Sequence, residues 1–384
     1  MAAILSAIGW VFAALALIGS LYTIAAAITL RAFLARAERP ARRADGVTIL
    51  KPLHDAEPRL ADNLATFLEQ DHDGPIQLLC GVQRPDDPAI AAIEALRARF
   101  PAARIDLIVD PTPHGANGKI ANLINLEPHI AQDVVVLSDS DMVAPRDYLA
   151  GLLAALDRPG TGAVTLAYNG RGDAGFWSRI AAAGLSWQFL PAATFGVAHG
   201  LARPCMGSTI AMRRGTLAAI GGFRAFADVL ADDYAIGEAV AAQGLRVVMP
   251  PMLVTHASIE RDFGELWRHE LRWGATVRDL VPLAHAMSVI GIPLPLALLA
   301  IPFHPLPGVA AAGVALLARL AVARVADRRA GARPAPYWLL PLRDCLTFAI
   351  LIASLTARSV DWRGATLRME QDGRIAAEPE NIRT

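Results

Sequence analysis

The chain has little cysteine: Cys80, Cys205 and Cys345 are its only three in 384 residues, far apart and in no CxxC or Cys/His cluster. That spacing argues against a disulfide framework and against a zinc site, and it suits a catalytic part facing a reducing cytosol. Excess charge of either sign is also missing, because 36 Lys and Arg balance 36 Asp and Glu. A neutral balance supplies none of the bulk attraction that suggests nucleic acid as a partner. No internal repeat and no low-complexity linker occurs, only an alanine enrichment that suits helices. Before Arg31 no Asp, Glu, Lys or Arg is found at all.

What the chain has in abundance is apolar surface. At 54% hydrophobic residues and a mean hydropathy of +0.37, it has room for one large globular domain plus membrane segments. Ala2 to Leu30 is long enough to span a bilayer and lacks the basic start of a cleaved signal peptide, so residues 1–31 are expected to be a permanent anchor. Arg31, Arg36, Arg39, Arg42 and Arg43 follow it, which by the positive-inside rule turns the amino terminus outward and makes the next domain cytoplasmic. Further apolar stretches run from Leu280 to Phe303, Leu306 to Ala323 and Tyr337 to Ala357, giving an expected membrane cluster over 281–358 and a polar tail over 359–384. Pro302, His304, Pro305, Pro307 and Gly308 separate the first two, and the basic loop Arg324 to Arg329 returns to the cytoplasm. Arg343 and Asp344 interrupt the third stretch, which stays open between a full span and an interfacial helix; an adjacent ion pair facing the bundle would be tolerated.

Between these regions, residues 45–280 alternate strand-like and helix-like segments, the pattern of one mostly parallel α/β domain. Val47 to Leu50, Ile76 to Val82, Ile105 to Val109 and Val134 to Leu137 read as strands; Arg59 to Gln70 and Pro88 to Phe100 read as helices. Asp139-Ser140-Asp141 directly follows the fourth strand, where ligands bind in open α/β sheets. Two carboxylates one residue apart can share a hard divalent cation that neutralises a diphosphate, and without a cation or basic partner they would repel. The bland alternative is that they cap the next helix.

Other polar residues gather at strand ends. Asp86 and Asp87 follow the second strand, where an acceptor suits ribose hydroxyls or a uracil N–H, or else caps the helix after Pro88. Gly115, Asn117, Gly118 and Lys119 form a loop whose amides and ammonium suit a phosphate. Asp232 and Asp233 either cap the Tyr234 to Gln243 helix or supply a general base. Phe263 to Leu280 is an amphipathic helix carrying His269, Arg272 and Trp273 just before the membrane, where Arg suits a departing diphosphate and Trp a sugar face, although both also serve as interface anchors. Leu185 to Val197 is apolar and aromatic within an otherwise soluble domain, and is read either as an interfacial segment lining the acceptor's path or as a core helix.

In order along the chain, Lys51-Pro52-Leu53, Asp86-Asp87-Pro88-Ala89-Ile90, Lys119 with Asn122-Leu123, Asp139-Ser140-Asp141, Asp232-Asp233-Tyr234 and Arg272-Trp273 resemble the membrane-bound glycosyltransferases of families 2 and 21, of which ceramide glucosyltransferases are the best known. The resemblance covers nearly the whole chain. It implies a GT-A fold of mostly parallel, Rossmann-like sheet plus transmembrane helices, a UDP-sugar donor, Mg²⁺ or Mn²⁺, and inversion at the anomeric carbon. Carried over by motif, Asp86 would contact the nucleotide, Asp139 and Asp141 the metal and diphosphate, and Asp233 would be the base, with Lys119, Arg272 and Trp273 at the nucleotide sugar. His269 stands where that family's Q/R-x-x-R-W signature has Gln or Arg.

The segments Leu201 to Cys205 with Gly207 to Ile210, Leu230 to Ala239 and Trp267 to Trp273 look closest to the bacterial hopanoid-biosynthesis glycosyltransferases. That implies transfer of N-acetylglucosamine from UDP-N-acetylglucosamine to bacteriohopanetetrol at the bacterial inner membrane. The alternatives are glucose transfer to ceramide, a processive polysaccharide synthase, for which the spans are too few, and a non-catalytic nucleotide-sugar binding protein tethered to the bilayer.

Overall fold

The computed structural model describes residues 1–36, 40–203 and 205–357, and beyond them only the backbone of Ser359–Trp362, Ala365–Met369 and Ile375–Ala377. Arg39, Pro204 and most of the expected polar tail lie outside the described residues.

Ten strands build the α/β part: β1 (Val47–Pro52), β2 (Ile76–Val82), β3 (Arg104–Val109), β4 (Val134–Leu137), β5 (Met142–Val143), β6 (Thr161–Thr165), β7 (Ala167–Gly172), β8 (Ile210–Arg213), β9 (Arg246–Val248) and β10 (Leu253–Ser258). The main sheet runs β3-β2-β1-β4-β8-β6-β9. Its first four strands are parallel and β8 runs against both neighbours. The short apolar runs end up here because both faces are covered. Val47, Ile49, Val134 and Val136 join one core, whereas Leu50, Val135 and Leu137 join the other, as period-2 strands require.

The register decides where the site forms. Leu50 pairs with Leu137 at the carboxyl ends of β1 and β4, and Leu137 faces Ile210, the first residue of the antiparallel β8. The loop after β4 and the loop before β8 therefore share one rim. A smaller sheet, β5-β10-β7, stands beside it. It was not legible in the sequence, because β5 is two residues long and β7 and β10 carry polar residues on both faces.

Among the described residues four helices are long and apolar enough to cross a membrane: Ala2–Leu34, Phe176–Ala198, Pro305–Ala330 and Tyr337–Ser354. The expected stretch from Leu280 to Phe303 is a broken pair instead, Pro282–Gly291 and Pro293–Ala300, bent by 68°; Pro293 cannot continue the ladder of the helix before it. Phe176–Ala198 was not expected as one helix. It contains a π-turn over Leu185–Phe189, the kind of insertion that re-aims side chains and is frequent at functional sites. Trp187 is buried there, donating Nε1–H to Asp327 at 2.8 Å, so that half of the segment is core. Phe189 turns the other way and packs on Tyr168, ring centroids 4.6 Å apart.

Arg343 and Asp344 do not pair with each other. Asp344 binds Arg319 at 2.9 Å, while Arg343 makes two bonds, 2.7 and 2.6 Å, to Glu270 on the Phe263–Leu280 helix. Adjacent residues on a helix point about 100° apart, which is why each finds a different partner. Asp262 starts the Phe263–Leu280 helix by accepting from the Glu265 backbone N–H at 2.8 Å, and the Arg343 bridge ties its middle to the helical cluster.

Candidate functional site

A cavity of about 1080 Å³ opens at the shared rim, walled by the loops after β1 and β4, the start of the Asp232–Ala242 helix, β10 and the Phe263–Leu280 helix. Lys119, Asp139, Asp141, Asp233, Arg272 and Trp273 all line it. Asp86 does not. Its neighbour Asp87 accepts the Ala89 N–H at 2.9 Å in the turn that leads into the Ala89–Arg99 helix, while the Asp86 side chain points outward at 86% exposure. Asp55 and Gln83 are the polar groups on that side of the cavity.

Lys119 is the hub. Asn117 caps the Gly118–Leu126 helix, with Gly115 at φ +84° letting the loop approach Ala227 and Asp228. The ammonium then lies 2.8 Å from Asp139 Oδ1 and 3.0 Å from Asp232 Oδ2. Burial opposes its charge, but Asp139 and Asp232 override this and raise its pKa above the ordinary lysine value. On the other side His256 Nε2 sits 3.1 Å from Asp141 Oδ2. Burial would neutralise this imidazole too, yet Asp141, aided by Glu260 and Asp139, lifts its pKa to about 9. The same pairing holds Asp141 below the usual carboxylate range, against its own burial. Each carboxylate of the Asp-Ser-Asp pair thus has its own basic partner, and neither caps a helix. The next helix starts at Tyr148.

Asp233 is placed differently. Its Oδ2 accepts the Gly207 N–H at 2.9 Å and its Oδ1 the Tyr234 N–H at 2.8 Å. Burial, with the Asp232 charge adding, raises its pKa to about 6, where a carboxylate is a useful proton acceptor near neutral pH. Gly207 joins the two groups of acids. A Cβ there would come within 3.1 Å of Asp139 Oδ2, 3.3 Å of Lys119 Nζ and 3.6 Å of Asp233 Oδ2, so a side chain would fill the space these groups share.

Two side chains of this site, His256 and Glu260, were not singled out in the sequence, and Lys51 entered only within the Lys51-Pro52-Leu53 motif. His256 looks like one more residue of a half-buried strand until β10 and the loop after β4 are brought together. Lys51 is fully buried and donates to Ser138 Oγ at 3.0 Å and to the Asp139 carbonyl at 2.8 Å, which pins the loop; burial lowers its pKa to about 7. Glu260 holds His269 Nδ1 at 2.6 Å, and that ring meets Trp273 edge-on at 4.4 Å. The residue at the first signature position is therefore fixed by a carboxylate.

Among the described residues no three His, Cys, Asp or Glu stand ready as a cation cage. The donor set still fits a hard divalent ion. Asp141 Oδ1 is buried with no hydrogen-bond partner, and Mg²⁺-like ions are commonly held by one or two carboxylates with phosphate oxygens completing the shell.

Comparison with known proteins gives the family and the fold. The family described as "Glycosyl transferase family 21" matches residues 10–375. Among curated proteins, a ceramide glucosyltransferase of Candida albicans is 26% identical over 29% of this chain and 23% of its own length. Ceramide glucosyltransferase 1 of Caenorhabditis elegans is 23% identical over 56% of this chain and 46% of its own length. The chain thus spans less than half the length of these curated relatives. Among solved structures, a mannosyltransferase from Pyrobaculum calidifontis in complex with GDP-Man and Mn2+ matches 92% of this chain and 99% of its own, at 22% identity and a TM-score of 0.53. That likeness extends to the fold alone, a GT-A fold with apolar helices appended.

Proposed function

Because the chain belongs to glycosyl transferase family 21, we propose that it moves a sugar from a UDP-sugar to a hydroxyl group of a membrane lipid, most specifically N-acetylglucosamine from UDP-N-acetylglucosamine to bacteriohopanetetrol. One observation carries the lipid acceptor. The cavity that holds Asp139, Lys119 and Asp233 also reaches Val277, Leu280 and Val281, the last residues before the broken apolar pair. A lipid can stay in the bilayer while its polar end reaches the base.

On this reading residues 1–31 anchor the chain, 45–280 catalyse and 281–358 embed it in the bacterial inner membrane. The arginine-bearing ends of Ala2–Leu34 and Pro305–Ala330 lie against the α/β part, which supports a cytoplasmic catalytic domain. Asp233 takes the proton of the acceptor hydroxyl as its oxygen bonds to the anomeric carbon and the bond to the diphosphate breaks. Displacement from the opposite face inverts that carbon. Lys119 and Arg272 offer positive charge to the departing diphosphate. Asp139 and Asp141, with His256 beside them, would hold Mg²⁺ or Mn²⁺, whose chemistry is to neutralise that diphosphate.

The curated relatives favour a second reading, glucose transfer from UDP-glucose to ceramide. Purified protein incubated with each labelled UDP-sugar and each lipid separates the two. Labelled N-acetylglucosamine on bacteriohopanetetrol is the expected product; glucosylceramide alone would replace the first reading with the second, and no labelled lipid in any combination would defeat both.

A further inference from the structure

A second cavity, of about 970 Å³, lies where the ends of Ala2–Leu34 and Pro305–Ala330 meet the α/β domain. Among the described residues Arg36, Arg158, Arg328 and Arg329 line it against a single acid, Asp147. Of the nearby carboxylates, Asp157 pairs with Arg43 and Arg213, and Asp327 is buried and turned to Trp187, from which its Oδ1 accepts at 2.8 Å. Apolar residues complete the lining, among them Phe33, Leu34, Pro251 and Met252. Arginines at helix ends are accounted for by membrane orientation alone. Arg158 is not, since it follows a helix of the α/β domain, Tyr148–Leu156, and yet lines the same space.

The small sheet separates this space from the active site. Along β10, Thr255 lines the arginine cavity and His256 the site; along β7, Asn169 lines the cavity and Tyr168 the site. Thr255 and Asn169 are joined by a 3.1 Å hydrogen bond on that rear face. Alternation along a strand makes two distinct sites of one sheet.

We infer that the arginine cavity binds the phosphate headgroup of an anionic phospholipid, taken from the leaflet that the α/β domain faces. Four arginines against one aspartate leave an excess of positive charge that suits a phosphate, and apolar residues at the membrane end of two apolar helices suit the glycerol and upper acyl chain of the same molecule. The inference rests on those helices spanning a bilayer, and it needs no particular sugar or acceptor.

The test uses the full chain in nanodiscs of phosphatidylcholine with or without phosphatidylglycerol, with bound lipid read by native mass spectrometry after release. The wild type is expected to retain phosphatidylglycerol over phosphatidylcholine, and R328Q/R329Q to lower that retention roughly tenfold or more. R158Q, which alters no helix end of the membrane cluster, is expected to lower it as well. Millimolar inorganic phosphate should not displace the lipid. Equal retention in both variants and wild type, or displacement by free phosphate, would overturn the inference. Sugar transfer assayed on the same preparations keeps the two readings apart: lipid preference without transfer defeats the proposed function only, and transfer without lipid preference defeats this inference only.

Discussion

Two groups of buried charge, one in the α/β domain and one among the apolar helices, use the same residue types to different ends. Arg319 with Asp344 and Arg343 with Glu270 are nearly sealed, the first pair 3% and 0% exposed, and line neither cavity. Asp232 and His256 are also buried and Lys119, Asp139 and Asp141 half-buried, but all five line a cavity, and Asp141 Oδ1 is left with neither a hydrogen bond nor an ion-pair partner. Charges sealed away from any cavity fix the position of a helix. Charges that face open space are arranged for something that arrives.

The comparison breaks most sharply at Asp233. Asp233→Asn removes the proposed proton acceptor but keeps an oxygen for one of the two N–H donors, and is expected to slow transfer by about 10²–10⁴-fold while UDP-sugar binding persists; steady-state turnover and donor titration check both halves. Unchanged turnover would assign the base elsewhere. Next comes the structural pair. Asp344→Leu should cost about 3–5 kcal/mol by leaving Arg319 unpaired, whereas a double change of Arg319→Met and Asp344→Leu should recover most of it, read by thermal unfolding in detergent. A single variant as stable as wild type would refute the structural role.

A smaller effect concerns pH. With the Asp233 carboxyl raised to about 6, transfer should fall as the pH drops through that value, because the base becomes protonated. The same group favours the fold on acidification over that window, since an unfolded chain would take up its proton only nearer the ordinary aspartate value. Lost activity without lost structure is the expected signature, and an unchanged rate down to pH 5 would contradict it. The mildest change is Gly207→Ala, whose methyl would press on Asp139 and Lys119. A several-fold loss of transfer with an unaltered melting temperature is expected; wild-type rates would mean the neighbours simply shift.

Much of this was legible in the sequence wherever a local pattern carries the signal. Val134 to Leu137 announces a buried strand, so the acids behind it had to sit at a sheet edge. The amphipathic period of Phe263–Leu280 located both ends of that helix. Contacts made over long separations were not legible: His256 reaches Asp141 only through the pairing of β10 with β5, and Gly207 matters only because β8 runs antiparallel to β4. Asp86 and Asp87 show the limit from the other side, since two adjacent acids offer the same local signal and the turn before the helix took one of them.

The most direct measurement is calorimetric titration of UDP-sugar into the wild type, Asp139→Ala and Asp141→Ala, each with and without Mg²⁺ or Mn²⁺. Donor binding to the wild type should require the cation, and that requirement should disappear with the affinity in both variants. Cation-dependent binding that survives intact in both would contradict the claim that these carboxylates hold a nucleotide sugar at the membrane boundary.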